Sequence, residues 1–280
     1  MENLSKPIVI PTDFTVVAQY AIESAVPFAK MSNSNIVLLH IVKKSSEISD
    51  ANLKVEQEAD EASQKFGVPV RGIVREGSIF TTIGETVSEL DASLVIMGTH
   101  GIKGMQKLTG SWALKVIVTS KIPIIVVQNA PKKTTIDRIV FPINYKQENR
   151  EKIGWAYFVA KLFNSKIYIF RTPKHGDKRL ENGVRANQLF TEKFMRSKEI
   201  AYEVTTAKKR GSTAFAKEML QYAEDVNADL ILITTTKGIS TFDYVIGTVE
   251  EAILVNDASI PIMCVNPRKR KVGGFSATGG

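Results

Sequence analysis

Short apolar runs alternate with longer amphipathic segments along the whole chain. In the first part, the apolar runs predict strands at 7–12, 35–42, 68–74, 93–98 and 122–127. The amphipathic segments predict helices near 15–31, 46–65, 78–90 and 111–120. The strands are almost continuously apolar, as expected when both faces of a sheet are covered. Gly67 follows the second predicted helix and should end it.

The second part of the chain has the same alternation. Strands are predicted at 138–143, 166–171, 202–207, 229–234 and 260–265, and helices near 147–163, 178–197, 212–226 and 248–256. Asn164 should end the first of these helices. Strand, helix, strand order with right-handed crossovers predicts an α/β fold with a five-stranded parallel sheet in each half. Ligands of such sheets bind beyond the carboxyl ends of the strands, where the winding direction switches.

Similar segments recur in the two halves in the same order. Pro11 and Pro142 are 131 positions apart, 92–101 matches 228–237 at an offset of 136, and 122–127 matches 260–265 at an offset of 138. A repeat of this length is a whole domain. We expect one domain at 1–130, a second at 135–267 and a disordered basic and glycine-rich tail at 268–280, with the boundary in the polar segment 128–137.

Composition and charge exclude several protein classes. The 280 residues are 44% hydrophobic and 24% charged, which is ordinary globular usage. The net charge of +8 suggests a polyanionic partner, but residues 1–133 carry 14 basic and 13 acidic side chains, and 268–271 hold four basic residues in a row. Because the folded part is nearly neutral, a nucleic-acid partner is not expected, and no function is assigned to the tail.

The cysteine content and the apolar runs bear on location. Cys264 is the single cysteine, so no internal disulfide can form, and a reducing cytoplasm fits best. The amino terminus lacks the pattern of a signal peptide, and the longest apolar runs have the length of strands. We therefore expect a cytoplasmic protein that does not cross a membrane.

A glycine-rich loop follows the fourth strand. Gly98, Gly101, Gly104 and Gly110 lie within 98–112, and Ser111 is a good amino-terminal cap for the next helix. Glycines let backbone amides approach a ligand, and free amides at a helix start attract anions, so the loop could bind phosphate. It is not a Walker loop, because no Gly-Lys-Ser/Thr follows the glycines. The glycines could equally serve turns.

These motifs together resemble the universal stress protein family. The resemblance rests on 9-VIPTDF-14, 94-LVIMGTHG-101, Gly110-Ser111 and 121-KIPIIVV-127, and it extends over both halves, roughly residues 5–267. It implies two tandem, doubly wound, Rossmann-like domains of the adenine nucleotide alpha hydrolase type.

The resemblance also implies a nucleotide site for ATP or AMP, with or without magnesium, in the first half. Pro11, Thr12 and Asp13 would lie by the adenosine, with Asp13 accepting hydrogen bonds from it. Ile41 would contact adenine, and Met97 and Gly98 would flank the base and ribose. In the glycine loop, the phosphates would contact Gly101, Gly110, Ser111 and the amide of Trp112. His100 could add a further contact.

Two departures from the family pattern bear on this site. The family motif has nine residues before its last glycine, whereas eight residues, 102–109, separate Gly101 from Gly110. The shorter loop is expected to alter the phosphate cradle. In the second half Asn144 replaces the aspartate and 234–237 has lost both early glycines, although Gly247 and Thr248 persist. We therefore expect no ATP site of this form there.

Other candidate residues point to no catalytic constellation. His40 lies on an apolar strand and is expected to pack, as are Trp155 and Tyr157 on their helix, and Asp13 has no partner carboxylate. Three functions stay open: a nucleotide-sensing stress protein with an unidentified protein partner, a slow ATPase or self-phosphorylating protein, and an interaction protein without nucleotide. The last strands, 122–127 and 260–265, should pair either within the chain as a pseudo-dimer or between two chains as a homodimer.

Overall fold

The computed structural model describes residues 5–99, 110–173, 176–235, 253–254 and 256–267, with the backbone alone at 110–114 and 148–149. Strands and helices alternate along both halves, as the apolar pattern predicts. The first half contains β1 Ile8–Pro11, α1 Val16–Ser32, β2 Ile36–Val42, a 3-10 turn Ser45–Glu47, α2 Ile48–Phe66, β3 Val70–Glu76, α3 Ile79–Glu89, β4 Leu94–Gly98, α4 Gly110–Thr119 and β5 Ile124–Val127. The second half contains β6 Arg138–Ile143, a 3-10 turn Gln147–Arg150, α5 Ile153–Phe163, β7 Lys166–Arg171, α6 Lys178–Ser197, β8 Tyr202–Thr206, α7 Ser212–Asp225, β9 Leu230–Thr234 and β10 Ile262–Val265.

The two predicted helix stops are where the sequence places them. Gly67 and Asn164 both adopt left-handed backbone, with φ of 64° and 56°, and end α2 and α5. Of the helix predicted at 248–256, residues 253–254 are described and are helical. Among the described residues, no helix is both long enough and apolar enough to cross a bilayer.

The described strands form one ten-stranded sheet in the order β3-β2-β1-β4-β5-β10-β9-β6-β7-β8. Each half contributes five parallel strands, which confirms the α/β class. The halves meet where β5 pairs antiparallel with β10, with Met263 opposite Ile125. Of the two pairings expected for the last strands, the structure has the one within the chain. Since β5 lies between β4 and β10, and β10 between β5 and β9, neither is an edge strand.

Helices cover both faces of the sheet and bury two apolar clusters. Alternation along β1 sends Ile8 and Ile10 to the face under α1, α2, α5 and α6, and Val9 to the opposite face. Each cluster includes residues from both halves, so the core is continuous across the junction of β5 and β10, which we call the seam. Trp155 and Tyr157 are partly buried against the first cluster, which confirms the expectation that they pack.

Two equivalent amides fasten the seam. Gln128 follows β5, and its Nε2 donates to Leu254 O and Asn256 O of the second half, at 3.3 Å each. Asn266 follows β10, and its Nδ2 donates to Ser120 O of the first half at 2.8 Å and to Ile117 O. Each half thus holds the end of the other half's last helix, in a twofold-like arrangement.

Candidate functional site

A cleft opens at the carboxyl ends of β1, β2 and β4, the switch point of the first half. Its apolar walls come from these strands and from α1, α3 and α4. Its polar groups come from His40 of β2 and from the loops that follow β1 and β4. The residues that line it are Pro11, Thr12, Asp13, Thr15, Val17, Ala18, Leu39, His40, Ile41, Ile79, Ile83, Met97, Gly98, Thr99 and Val116. Six residues named from the sequence are therefore brought together here: Pro11, Thr12, Asp13, Ile41, Met97 and Gly98.

The turn from Pro11 to Thr15 fixes the position of Asp13. Thr12 N donates to Leu39 O at 2.9 Å, which continues the pairing of β1 with β2 beyond the strand. Phe14 has a left-handed φ of 61°, and its amide donates to Thr12 Oγ1 at 3.1 Å. Asp13 Oδ1 accepts from Thr15 N and Thr15 Oγ1, at 3.2 and 2.6 Å. Among the described residues Asp13 Oδ2 has no hydrogen-bond donor, so this exposed oxygen is available to a ligand.

Glu58 and His40 support the turn from outside it. The hydroxyl of Thr12 donates to Glu58 Oε2 at 2.9 Å, across from α2. Burial raises the pKa of the Glu58 carboxyl, and the nearby Asp13 charge acts in the same direction, whereas the Thr12 hydrogen bond opposes the rise. His40 Nδ1 lies 2.9 Å from Thr12 O, and its ring packs on Phe14 with centroids 4.4 Å apart. The turn is thereby held from two neighbouring elements.

Gly98 has a structural reason to be glycine. A Cβ built on it would lie 2.5 Å from Val17 O and 2.8 Å from Val17 C, which are backbone atoms in the first turn of α1. A side chain here would push α1 away from the end of β4. The next residue, Thr99, is 3% exposed, and its Oγ1 has no hydrogen-bond partner among the described residues. Because this hydroxyl lines the cleft, it can bond a ligand.

The expected phosphate contacts are only partly described. His100 and Gly101 lie outside the described residues. Gly110, Ser111 and Trp112 form the first turn of α4, whose backbone amides point out of the helix start. The expectation that Ser111 caps this helix is wrong, because the helix already includes Gly110. Near the helix end Val116 lines the cleft. Within the described parts of the chain, no group of three or more His, Cys, Asp or Glu side chains could hold a metal ion.

Sequence reasoning missed several lining residues. His40 was expected only to pack, yet it also lines the cleft, because it lies near the carboxyl end of β2, next to Ile41. Ile79 and Ile83 come from successive turns of α3, and their spacing of four was a signal for one helix face. Glu58 gave no local signal, since it lies 46 positions from the threonine that it contacts.

A buried lysine lies at the same edge of the second half. Lys152 is 1% exposed, its Nζ donates to Pro142 O at 2.6 Å, and it lies 4.4 Å from the Phe141 ring centroid. Pro142 is the counterpart of Pro11 in the repeat. Burial lowers the pKa of the Lys152 amine to about 7. The lysine thus occupies the carboxyl end of β6, where a ligand would approach if the half resembled the first.

A polar network lies beside this lysine, on the connection that follows β6. Asn187, 1% exposed on α6, donates through Nδ2 to Asn144 O and Lys146 O at 2.8 and 2.9 Å, and its Oδ1 accepts from Arg150 Nε at 2.9 Å. The guanidinium of Arg150 also lies over the Phe190 ring, 4.7 Å from its centroid. The connection after β6 is therefore tied down by α6.

Sequence comparisons identify similar proteins. A sequence model of the universal stress protein family matches residues 5–128. A universal stress protein of Methanocaldococcus jannaschii is 33% identical over 148 residues, which are 47% of this chain and 86% of that protein. Another, from Synechocystis sp., is 28% identical over 134 residues, which are 44% of this chain and 85% of that protein.

A solved structure matches both halves. The crystal structure of a universal stress protein from Archaeoglobus fulgidus covers 94% of this chain and 99% of its own, with a TM-score of 0.77 and 19% sequence identity. At this identity the match shows a shared fold alone. It extends the similarity beyond the region that the family's sequence model matches.

Proposed function

Because this chain belongs to the universal stress protein family, we propose that its first half binds an adenine nucleotide, ATP or AMP, and that the protein acts as a stress-response sensor or interaction module. The observation that carries the proposal is the cleft at the carboxyl ends of β1, β2 and β4, which gathers an apolar slot and unpartnered polar atoms at a switch point. Nucleotide binding would change the surface that the protein presents to a protein partner. We place both proteins in the cytoplasm.

The base and the sugar find suitable groups in the described cleft. Ile41, Met97 and Ile83 supply apolar surface for a planar base. Asp13 Oδ2 is a charged acceptor for ribose hydroxyls, and its carboxylate is already oriented by two hydrogen bonds from Thr15. Thr99 Oγ1 is a buried hydroxyl that gains a partner when a ligand binds. Preorganised acceptors of this kind bind without the entropy cost of ordering them.

The phosphates would lie toward the start of α4. The amides of Gly110, Ser111 and Trp112 belong to its first turn, where the helix dipole favours an anion. Gly101 and His100 would complete the contact as the family resemblance implies. If magnesium accompanies the nucleotide, it would be held chiefly by the phosphates, with Asp13 as the nearest carboxylate of the site.

The second half is proposed not to bind nucleotide. The buried Lys152 and the Asn187 network take up its carboxyl edge, and Asn144 in place of Asp13 removes the charged acceptor. One nucleotide per chain is therefore the expected stoichiometry.

The proposal is tested by measuring nucleotide directly. Protein purified without added nucleotide is denatured, and its supernatant is examined by chromatography with mass detection, while calorimetry measures ATP and AMP binding. Asp13→Ala removes a charge-assisted hydrogen bond and should weaken binding by about tenfold to a hundredfold. The matched change in the second half, Asn144→Ala, should leave the affinity unchanged.

The outcomes separate the functions that the sequence leaves open. About one nucleotide per chain in the parent protein, and none in Asp13→Ala, supports the proposal. Release of ADP on incubation with ATP would instead identify a slow ATPase. No bound nucleotide and no heat of ATP binding would overturn it in favour of an interaction protein without nucleotide.

A further inference from the structure

A second pocket lies at the seam between the halves, beneath the segment that connects them. We call it the seam pocket. It shares no residue with the nucleotide cleft, and its walls come from α1, β5, the connecting segment and the chain entering β9 and β10. Its lining residues are Ser24, Pro27, Phe28, Ile125, Val127, 129–133, Thr135, Ile136, Ala228, Asp229, Leu230 and 258–261.

The floor of the seam pocket is apolar and firmly packed. Ile125, Val127 and Leu230 are strand residues exposed by at most 2%. Phe28 of α1 is fixed by an edge contact with Phe163 of α5, with centroids 5.1 Å apart. The rings of three prolines, at positions 27, 131 and 261, add flat apolar surface. Such a floor favours a compact apolar body, because its burial removes apolar area from water.

One wall carries a buried hydroxyl without a partner. Ser24 Oγ on α1 has no hydrogen-bond partner among the described residues, although it is shielded from solvent. Serines elsewhere in these helices donate to the carbonyl four residues back, as Ser32 does to Phe28 O at 2.6 Å and Ser88 to Gly84 O at 2.9 Å. Ser24 makes no such bond. An unsatisfied buried hydroxyl needs an explanation, and a polar ligand atom in the pocket supplies one.

The charges around the pocket favour an anion. The Asp229 carboxylate is already engaged, since Oδ1 pairs with Lys133 Nζ at 3.1 Å and Oδ2 accepts from the amides of Asp137 and Arg138 at 2.9 and 3.0 Å. Lys133 also pairs with Asp137 at 3.2 Å. Lys132 lines the same pocket, is exposed, and has no acidic partner among the described residues. Lys132 is therefore the charge at this pocket that is available to pair with an anion.

We propose that the seam pocket binds a small apolar carboxylate, with its hydrocarbon part on the floor, its carboxylate at Lys132 and a hydrogen bond from Ser24 Oγ. The site is separate from the nucleotide cleft and does not depend on it. Because the ligand would contact α1 of the first half together with the connecting segment and the starts of β9 and β10, its binding stabilises the junction of the halves.

Benzoate is a suitable probe, with benzamide as its uncharged isostere. Methyl-labelled protein is titrated with each, and NMR shifts are followed for Ile125, Val127 and Ile260 of the seam pocket, with Ile41 and Ile79 of the cleft as internal references. We expect saturable shifts confined to the seam methyls. Benzamide should bind about fivefold more weakly than benzoate, as expected for an exposed ion pair.

Variants test the role of each polar group. Lys132→Met should reduce benzoate affinity to that of benzamide and leave benzamide unchanged, whereas Lys121→Met, an exposed lysine outside the pocket, should alter neither. Ser24→Ala should weaken both probes. The Asp13→Ala protein should bind benzoate as the parent does, so failure of the nucleotide proposal and failure of this one are distinguishable.

Three results would overturn the proposal. They are the absence of seam shifts at saturating benzoate, shifts confined to the cleft methyls, and equal binding of benzoate and benzamide that Lys132→Met does not change.

Discussion

The two halves share a sheet but differ at the carboxyl ends of their central strands. The proline-containing strands β1 and β6 are each the central strand of their half and have equivalent neighbours. In the first half α1 begins five residues after Pro11, at Val16, whereas α5 begins eleven residues after Pro142, at Ile153. The longer connection brings Lys152 over the end of β6. A duplicated core can thus persist while its open edge changes.

Two neighbouring threonines of the second half differ from their counterparts in the first half. Thr234 is the counterpart of Gly98. At Gly98 the close approach of the Val17 backbone leaves no room for a side chain. Thr235, the counterpart of Thr99, donates to Asn266 Oδ1, whereas the Thr99 hydroxyl has no described partner. The two halves therefore differ at this one hydroxyl, while the buried hydroxyl of Thr234, like that of Thr99, has no partner among the described residues.

The largest expected effect comes from adding one methyl group to the first half. Gly98→Ala places a Cβ against the backbone of Val17 and should lower the free energy of unfolding by about 3 kcal/mol, the upper part of the range for overpacking. The measurement is guanidinium denaturation without nucleotide. The matched control is Thr234→Ala, which should cost less than about 1 kcal/mol. If the two variants cost the same, the close approach is not what requires glycine.

The buried lysine of the second half should make the stability of the protein rise with pH above about pH 7. The folded pKa of Lys152 is about 7, below its ordinary value, so the burial penalty is complete below about pH 7 and fades as the pH rises toward 10.5. Across that window, stability relative to Lys152→Met should rise by up to about 1.4 kcal/mol per pH unit. Denaturation curves from pH 6 to 9 measure it.

Lys161→Met is the control for this prediction, because Lys161 lies exposed on the same helix. The free energy of unfolding of Lys161→Met should follow that of the parent protein at every pH. Parallel pH profiles for the parent and Lys152→Met would show that the lysine is not buried as a titrating group.

The two seam amides should differ in strength. Asn266→Ala leaves Ile117 O, Ser120 O and the Thr235 hydroxyl without this partner, and should cost about 2 kcal/mol. Gln128→Ala removes two longer bonds of 3.3 Å and should cost less than about 1 kcal/mol. Thermal unfolding of both variants checks the order, and a larger loss for Gln128→Ala would contradict it.

The smallest expected effect tests the support of the Asp13 turn. The folded pKa of Glu58 is raised, so its charge is costly above that pKa, and the cost disappears as the pH falls below the unfolded value. Glu58→Gln keeps an oxygen for Thr12 and should stabilise the protein by less than about 1 kcal/mol at neutral pH.

The gap between Glu58→Gln and the parent should narrow as the pH falls toward 4. Glu56→Gln, on the exposed side of the same helix, is the control and should show no such narrowing. A gap that widens in acid would reverse the assigned direction of the Glu58 pKa.

Much of the candidate site could be predicted from the sequence, because the residues that carry the family resemblance lie at the ends of strands. Pro11, Thr12, Asp13 and Gly98 extend or end β1 and β4, and parallel strands bring their carboxyl ends together. Glu58 and Lys152 could not be found in this way. The contact of Glu58 with Thr12 depends on how α2 crosses the sheet, and the burial of Lys152 depends on the path of a connection without periodicity.

The sequence by itself determined the elements, the duplication and the α/β class. Hydrophobic period and helix stops such as Gly67 act over a few residues, so they can be read locally. Only the tertiary structure decided that β5 pairs with β10 inside the chain, that Gln128 reaches Leu254 across 126 positions, and that Lys152 is buried at the end of β6 while a cleft opens at the end of β1. These outcomes depend on which distant surfaces fit, and local patterns carry no information about that fit.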